Sequence, residues 1–198
     1  GRAANGLFTS LFVPNGPWFS ACPQVADLGA VGIARNSPDP AKGPGMAVEV
    51  GDQAPDFELK DQHGTPVRLS SFRGTKNVVL VFYPLAFSGV CTSELCAIRD
   101  DFPEVAGDDV ELLTVSVDST FTHRAWSDAE HFTFELLSDF WPHGDVAKLY
   151  GVFDSERGIA TRGTFVIDKE GVVRWKVVNP IPQARDLAEY SKALAALG

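Results

Sequence analysis

Cysteine is scarce in this chain: Cys22, Cys91 and Cys96 are the three thiols among 198 residues. They are too few and too unevenly placed to staple a secreted fold, so each is core filler, a metal ligand or a reactive group. Basic residues are also in short supply, with 17 Lys and Arg against 26 Asp and Glu and a formal net charge of -9. Such a surface repels phosphate backbones and anionic lipid heads, and no Lys/Arg block offers a local exception, which points away from nucleic acid and membrane partners. No apolar run reaches the length of a membrane span, and the N-terminus has no apolar stretch ending in a small-residue cleavage site. A cytoplasmic location follows, where reducing conditions keep thiols free. The Cys-x-x-Cys of a thioredoxin-type disulfide oxidoreductase is missing. His63, His123, His131 and His143 lack the paired spacing of a zinc site, so no metal and no cofactor is expected. Each histidine reads as a surface or turn residue, with His143 capping or packing at a helix entry.

What is present divides into two stretches. Residues 1–45 hold 13 Gly and Pro against 18 in the remaining 153 residues and carry little charge, so they read as an extension. A processed end, an expression remnant or a start placed too far upstream each account for it. Met46, the lone methionine, opens the second stretch, and residues 46–198 read as one domain large enough for a single core. The aromatic-rich segment with Phe8, Phe12, Trp18 and Phe19 either docks on that domain or stays apart from it.

From Asp52 onward, strand and helix signals alternate. Phe57 to Leu59 and Val67 to Leu69 flank the turn-rich Asp61-Gln62-His63-Gly64 and predict a small hairpin. Asn77 to Pro84 is a continuous β-branched and aromatic run, the mark of a central strand buried on both faces. Leu95, Ile98 and Phe102 then recur at helical spacing from a start near Cys91. Val110 to Val117 predicts a strand, Thr122 to His131 a helix, Phe134 to Leu137 a short strand and Asp145 to Tyr150 a helix ended by Gly151. Thr164 to Asp168 and Val172 to Val178 flank Lys169-Glu170-Gly171 as a second hairpin, and Ala184 to Leu197 closes the chain as an amphipathic helix. The pattern predicts an α/β fold: a thioredoxin-like mixed sheet flanked by helices, with an N-terminal β-hairpin.

A thiol attacks only as thiolate, so a reactive cysteine needs a helix N-terminus, a neighbouring cation or both. Cys91 lies where a strand and turn give way to a helix, and the positive dipole end there favours an anion. Leu85, Ala86, Phe87 and Val90 limit water around it, while Ser88 offers a hydroxyl to the sulfur or to an oxygen atom bound beside it. These local features fit a buried helical thiol equally well.

Pro84-x3-Ser88-x2-Cys91 resembles the Pro-x3-(Thr/Ser)-x2-Cys motif of the peroxiredoxins, and its flanks Val-Phe-Tyr-Pro and Cys-Thr-x-Glu resemble that family too. So do Ala54-Pro55-Asp56-Phe57, Leu137-Ser138-Asp139 and Arg162-Gly163-Thr164-Phe165-Val166-Ile167-Asp168. Phe-Tyr-Pro-Leu-Ala-Phe-Ser-Gly-Val-Cys and Ser-Asp-Phe-Trp-Pro-His-Gly are similar to the one-cysteine alkyl hydroperoxide reductase E type of actinobacteria. The likeness spans residues 48–198 and none of residues 1–45. It implies a thiol-dependent peroxidase acting on hydrogen peroxide, alkyl hydroperoxides or peroxynitrite, with Cys91 as peroxidatic nucleophile. Pro84 shields the sulfur, Arg162 holds thiolate and peroxide through its fork of donors, and Glu94 supports an arginine or complements the helix dipole. The reductant implied is thioredoxin, mycoredoxin or a low-molecular-weight thiol, and the assembly implied is a homodimer.

The sulfenic acid left on Cys91 needs a second thiol, and Cys96 is the candidate. The Cys91-x4-Cys96 spacing resembles the bacterioferritin-comigratory group. In an intact helix the two lie roughly 7.5 Å apart along the axis and about 140° apart around it, so a bond between them requires the first turns to unwind. A buried packing role for Cys96, with an external thiol as resolver, is the competing reading. A partner-binding or holdase protein without turnover is the alternative function, supported by the apolar N-terminal arm alone.

Overall fold

The computed structural model describes residues 47–105 and 107–197. The proposed extension 1–45 and Cys22 lie outside these residues, as does the boundary drawn at Met46. The first hairpin is β1 (Glu58–Lys60) and β2 (Pro66–Arg68), and a short 3-10 turn follows over Leu69–Phe72. Then come β3 (Asn77–Phe82), α1 (Gly89–Val105), β4 (Val110–Ser116), α2 (Thr120–Glu130), β5 (Glu135–Ser138) and α3 (Asp145–Leu149). A two-stranded ribbon of β6 (Phe153–Asp154) and β7 (Ile159–Ala160) precedes β8 (Arg162–Ile167), β9 (Val173–Asn179) and α4 (Leu187–Ala195). The main sheet has seven strands in the order β2-β1-β5-β4-β3-β8-β9. β3, β4 and β5 run parallel, and β8 and β9 return antiparallel beside β3. This is the mixed α/β sheet that the alternation predicts.

Every residue of β3 is buried, because the strand is paired on both edges and covered on both faces. Its side chains alternate across the sheet, as a pleat requires. Val78, Leu80 and Phe82 enter one core with Leu113, Val115, Phe165 and the α3 residues Val146 and Ala147. Val79 and Val81 enter the other, with Ile98 and Phe102 of α1 and Tyr190 and Ala193 of α4. Burying Leu95, Ile98 and Phe102 at i, i+3 and i+7 fixes the rotation of α1 about its axis. That rotation decides which way its remaining residues point.

Three differences from the sequence reading have local causes. The last helix starts at Leu187 and not near Ala184, because Asp186 caps it: its side chain accepts from the Ala188 N–H. The β6–β7 ribbon has only two residues per strand, too short for alternation to register. His123, read as a surface or turn residue, is fully buried on α2. His143 does pack at the entry to α3, with its Nε2 2.6 Å from the Gly158 carbonyl oxygen and its ring against Phe153.

Candidate active site

Because β3, β4 and β5 are parallel, the segments that leave their C-terminal ends gather at one end of the sheet. The segment after β3 turns through Pro84 to Ser88 and enters α1 at Gly89, two residues before Cys91. Cys91 is fully buried, in a cluster with Tyr83, Leu95, Trp126, Phe132 and Leu136. Pro84, at the start of this segment, is also buried, while Leu85, Phe87 and Val90 between it and Cys91 stay exposed. Ser88 turns its hydroxyl back: Oγ donates to the Leu85 carbonyl at 2.9 Å, and the Ser88 carbonyl accepts from the Thr92 N–H and hydroxyl. Its hydroxyl hydrogen is therefore spent on the turn.

Glu94 is one helical turn beyond Cys91, so the two side chains share a face of α1. The Glu94 carboxylate is buried and saturated. Its Oε1 accepts from the Arg185 N–H at 2.7 Å and from Arg185 Nε at 3.1 Å. Its Oε2 accepts from Arg185 Nη2 at 3.2 Å and from Arg162 Nη1. Arg162 is buried at the head of β8, and its Nε donates to the Ile181 carbonyl at 2.6 Å. Arg185, in the loop before α4, spends Nη1 on the Phe82 and Gly163 carbonyls at 2.8 and 3.0 Å. A Cβ on Gly163 would stand 2.7 Å from Val152 Cγ1, so the packing of β8 leaves no room for a larger residue there. Two guanidinium groups against one carboxylate leave the cluster with one net positive charge, buried within a helical turn of a thiol.

A second polar group lies under the turn. Tyr83 OH is 2.9 Å from His123 Nε2, Ser116 Oγ is 2.8 Å from the same nitrogen, and Ser116 Oγ donates to Asp118 Oδ2 at 2.8 Å. His123 Nδ1 faces the Leu136 carbonyl at 3.1 Å, which can only accept, so Nδ1 carries the proton and Nε2 receives the Tyr83 hydroxyl. Burial lowers the His123 pKa to about 4, against the opposing pull of Asp118. Its neutral ring therefore contributes stability above the ordinary value of 6.5 that is lost as pH falls from there towards 4. Burial raises Asp139 from 3.8 to about 6, so that carboxyl acts in the opposite sense between those two values.

Cys96 lies on another side of α1. Its Sγ donates to Glu130 Oε2 at 3.5 Å, and burial together with that bond pushes the thiol pKa up. Cys91 and Cys96 are both free thiols on one continuous helix. The structure thus brings Pro84, Ser88 and Cys91 together on one turn and sets Arg162 against Glu94 on the face of α1 that carries Cys91. Cys96 packs at the edge of the cluster that holds Cys91, with its Sγ turned to Glu130. Sequence reasoning missed Arg185, Asp118 and His123. Arg185 had one signal, a cation just outside a helix cap, and the predicted helix start at Ala184 concealed it.

The AhpC/TSA family matches residues 50–176. The chain is 49% identical over 150 residues to alkyl hydroperoxide reductase E of Mycobacterium tuberculosis, covering 76% of this chain and 98% of that protein. It is 39% identical over 158 residues to a chloroplastic 2-Cys peroxiredoxin of Spinacia oleracea, covering 75% of this chain and 59% of that one. Among solved structures, peroxidoxin BcpB from Mycobacterium tuberculosis is similar at a TM-score of 0.64 and 36% identity, covering 76% of this chain and 96% of that one. The reduced 2-Cys peroxiredoxin of Plasmodium vivax is similar at a TM-score of 0.69 and 33% identity, covering 75% and 81%.

The Glu94 cluster generates a stability prediction. Glu94→Gln leaves two buried guanidinium groups without their counter-charge, and breaking a buried pair in this way costs about 3–5 kcal/mol. Urea unfolding of the variant should show a loss of that size with an unchanged m-value. A loss below about 1 kcal/mol, the range of exposed pairs, would mean that water reaches the cluster.

Proposed function

The chain belongs to the AhpC/TSA family, and from that premise we propose that Cys91 is the nucleophile of its thiol-dependent peroxidase reaction. The carrying observation is the position of Cys91, buried in the first turn of α1, one turn from a net-positive Glu94–Arg162–Arg185 cluster. The Cys91 thiolate attacks the terminal oxygen of a hydroperoxide. An S–O bond forms, the O–O bond breaks, and the departing alkoxide or hydroxide takes up a proton to leave as alcohol or water, while peroxynitrite releases nitrite. Cys91 is left as sulfenic acid. Arg162 supplies the donors that meet the charge moving onto the leaving oxygen, and its Nη2 hydrogen-bonds to no other described residue. Pro84 walls off the sulfur, and Ser88 shapes the turn through Leu85. The substrates are hydrogen peroxide, alkyl hydroperoxides or peroxynitrite, since each supplies a cleavable O–O bond.

For the return step, Cys96 attacks the sulfenic sulfur, an S–S bond forms and water leaves. A second reading, an external thiol as resolver, is favoured by two observations. Glu94 and Leu95, both pinned, lie between the two cysteines, and the Cys96 thiol is pushed towards its unreactive protonated form. In either case the reductant is thioredoxin, mycoredoxin or a low-molecular-weight thiol. The working unit is a homodimer. Leu85, Phe87, Phe121, Phe140 and Trp141, all more than 40% exposed, project from the segments after β3, β4 and β5 at one end of the sheet. No helix among the described residues is long and apolar enough to cross a membrane. The setting is the cytoplasm, where free thiols persist.

Peroxide consumption by Cys91→Ser tests the reading: turnover should vanish with the fold intact, and turnover at the parent rate refutes it. Arg162→Lys keeps a charge but loses the fork, so its second-order rate with hydrogen peroxide should fall by roughly ten- to a thousandfold. Mass spectrometry after one equivalent of peroxide decides the return step. A Cys91–Cys96 linkage, with lost hydrogen-exchange protection across residues 90 to 100, supports the internal resolver. A sulfenic acid persisting on Cys91 assigns the step to an external thiol.

A further inference from the structure

The turn that delivers Ser88 and Cys91 is held from beneath at two points, one on each side of Pro84-Leu85. Ahead of it, the Tyr83 hydroxyl is bound to His123 on α2. Behind it, the Ala86 N–H donates to Asp118 Oδ2 at 2.8 Å. The same oxygen receives the Ser116 hydroxyl at 2.8 Å, and Ser116 in turn touches His123. Asp118 is itself fixed: its N–H donates to Ser116 Oγ at 3.2 Å and its carbonyl accepts from Ser138 Oγ at 2.6 Å. The clamp therefore ties the segment after β3 to the segment after β4 and to the last residue of β5. Between its upper end and the helix sits Phe87, a non-glycine residue with φ of 59° and a half-exposed ring resting near Trp126. Such a backbone persists only where its surroundings determine it, and the Ala86–Asp118 bond is the adjacent restraint.

Resting on the assignment of Cys91 as nucleophile, we propose that Asp118 is a positioning residue for the peroxide reaction, acting through Ala86 on the Pro84–Ser88 turn. It touches neither sulfur nor substrate. Its carboxylate oxygen sets where the Leu85 carbonyl receives Ser88, and so where α1 begins under Cys91. A shift of about 1 Å in such a support is enough to cost roughly a hundredfold in rate. What the turn requires of residue 118 is an acceptor at one point, because both bonds end on the single atom Oδ2. Charge is incidental to that task.

The test compares Asp118→Ala with Asp118→Asn, whose amide oxygen can replace Oδ2. Stopped-flow tryptophan fluorescence gives the second-order rate with hydrogen peroxide, and iodoacetamide alkylation of Cys91 gives a reading of the thiol that needs no peroxide geometry. The Ala variant should lose roughly ten- to a hundredfold in the peroxide rate while alkylating within about threefold of the parent, and Asn should restore the peroxide rate to within about threefold. An Ala variant reacting with peroxide like the parent, an Asn variant as slow as Ala, or a parallel fall in both reactions overturns the proposal. Should Asp118→Ala fail to fold, hydrogen exchange in the parent decides: the Ala86 amide should exchange far more slowly than those of Leu85 and Phe87, and equal rates overturn it. Failure here is separable from failure of the Cys91 assignment, which would show as an active Cys91→Ser.

Discussion

A single buried carboxylate organises the reactive end of this molecule. Glu94 gathers Arg162 from the head of β8 and Arg185 from the loop before α4, so three elements distant in sequence meet on one side chain of α1. Burying these charges is worthwhile only because each has partners: the carboxylate accepts four hydrogen bonds, and the guanidinium groups also bind the carbonyls of Ile181, Phe82 and Gly163. The excess of one cation makes the site incomplete until an anion stands nearby. Cys91, proposed above as the nucleophile, stands one turn along the same helix face.

The hydrophobic pattern sets this electrostatics in place. Leu95, Ile98 and Phe102 bury one stripe of α1 and thereby aim Cys91 and Glu94 towards the sheet, while Cys96, on another side, reaches Glu130 at the end of α2. The same packing bears on catalysis in motion. Any bond between Cys91 and Cys96 requires the backbone across Glu94 and Leu95 to move, and these are the two best-anchored residues between them. Opening of that stretch therefore works against the Glu94 cluster, because Glu94 is held by Arg162 and Arg185.

Much of this was legible in the sequence, for reasons that differ between residues. The run Asn77 to Phe82 declared a central strand because complete burial needs no alternation. The spacing of Leu95, Ile98 and Phe102 declared α1. Pro84, Ser88 and Cys91 lie close together in sequence, so their motif marks the candidate site. Arg162 needed the resemblance, since a cation at a strand edge reads as surface by itself. Arg185, Asp118 and His123 were hidden because their meaning lies in partners 20 to 103 residues away, or in a burial that a lone polar residue does not announce.

The central claim is that the surplus positive charge around Glu94 drives the reaction of Cys91 with peroxide. Its most direct test is the second-order rate of hydrogen peroxide reduction in Arg185→Met, under conditions where near-ultraviolet circular dichroism shows the variant folded. This change leaves Arg162 and Cys91 in place and removes the surplus charge. The account predicts a fall of roughly tenfold or more, the equivalent of about one pKa unit of lost charge stabilisation. A rate equal to that of the parent would contradict it and reduce the cluster to a structural tie.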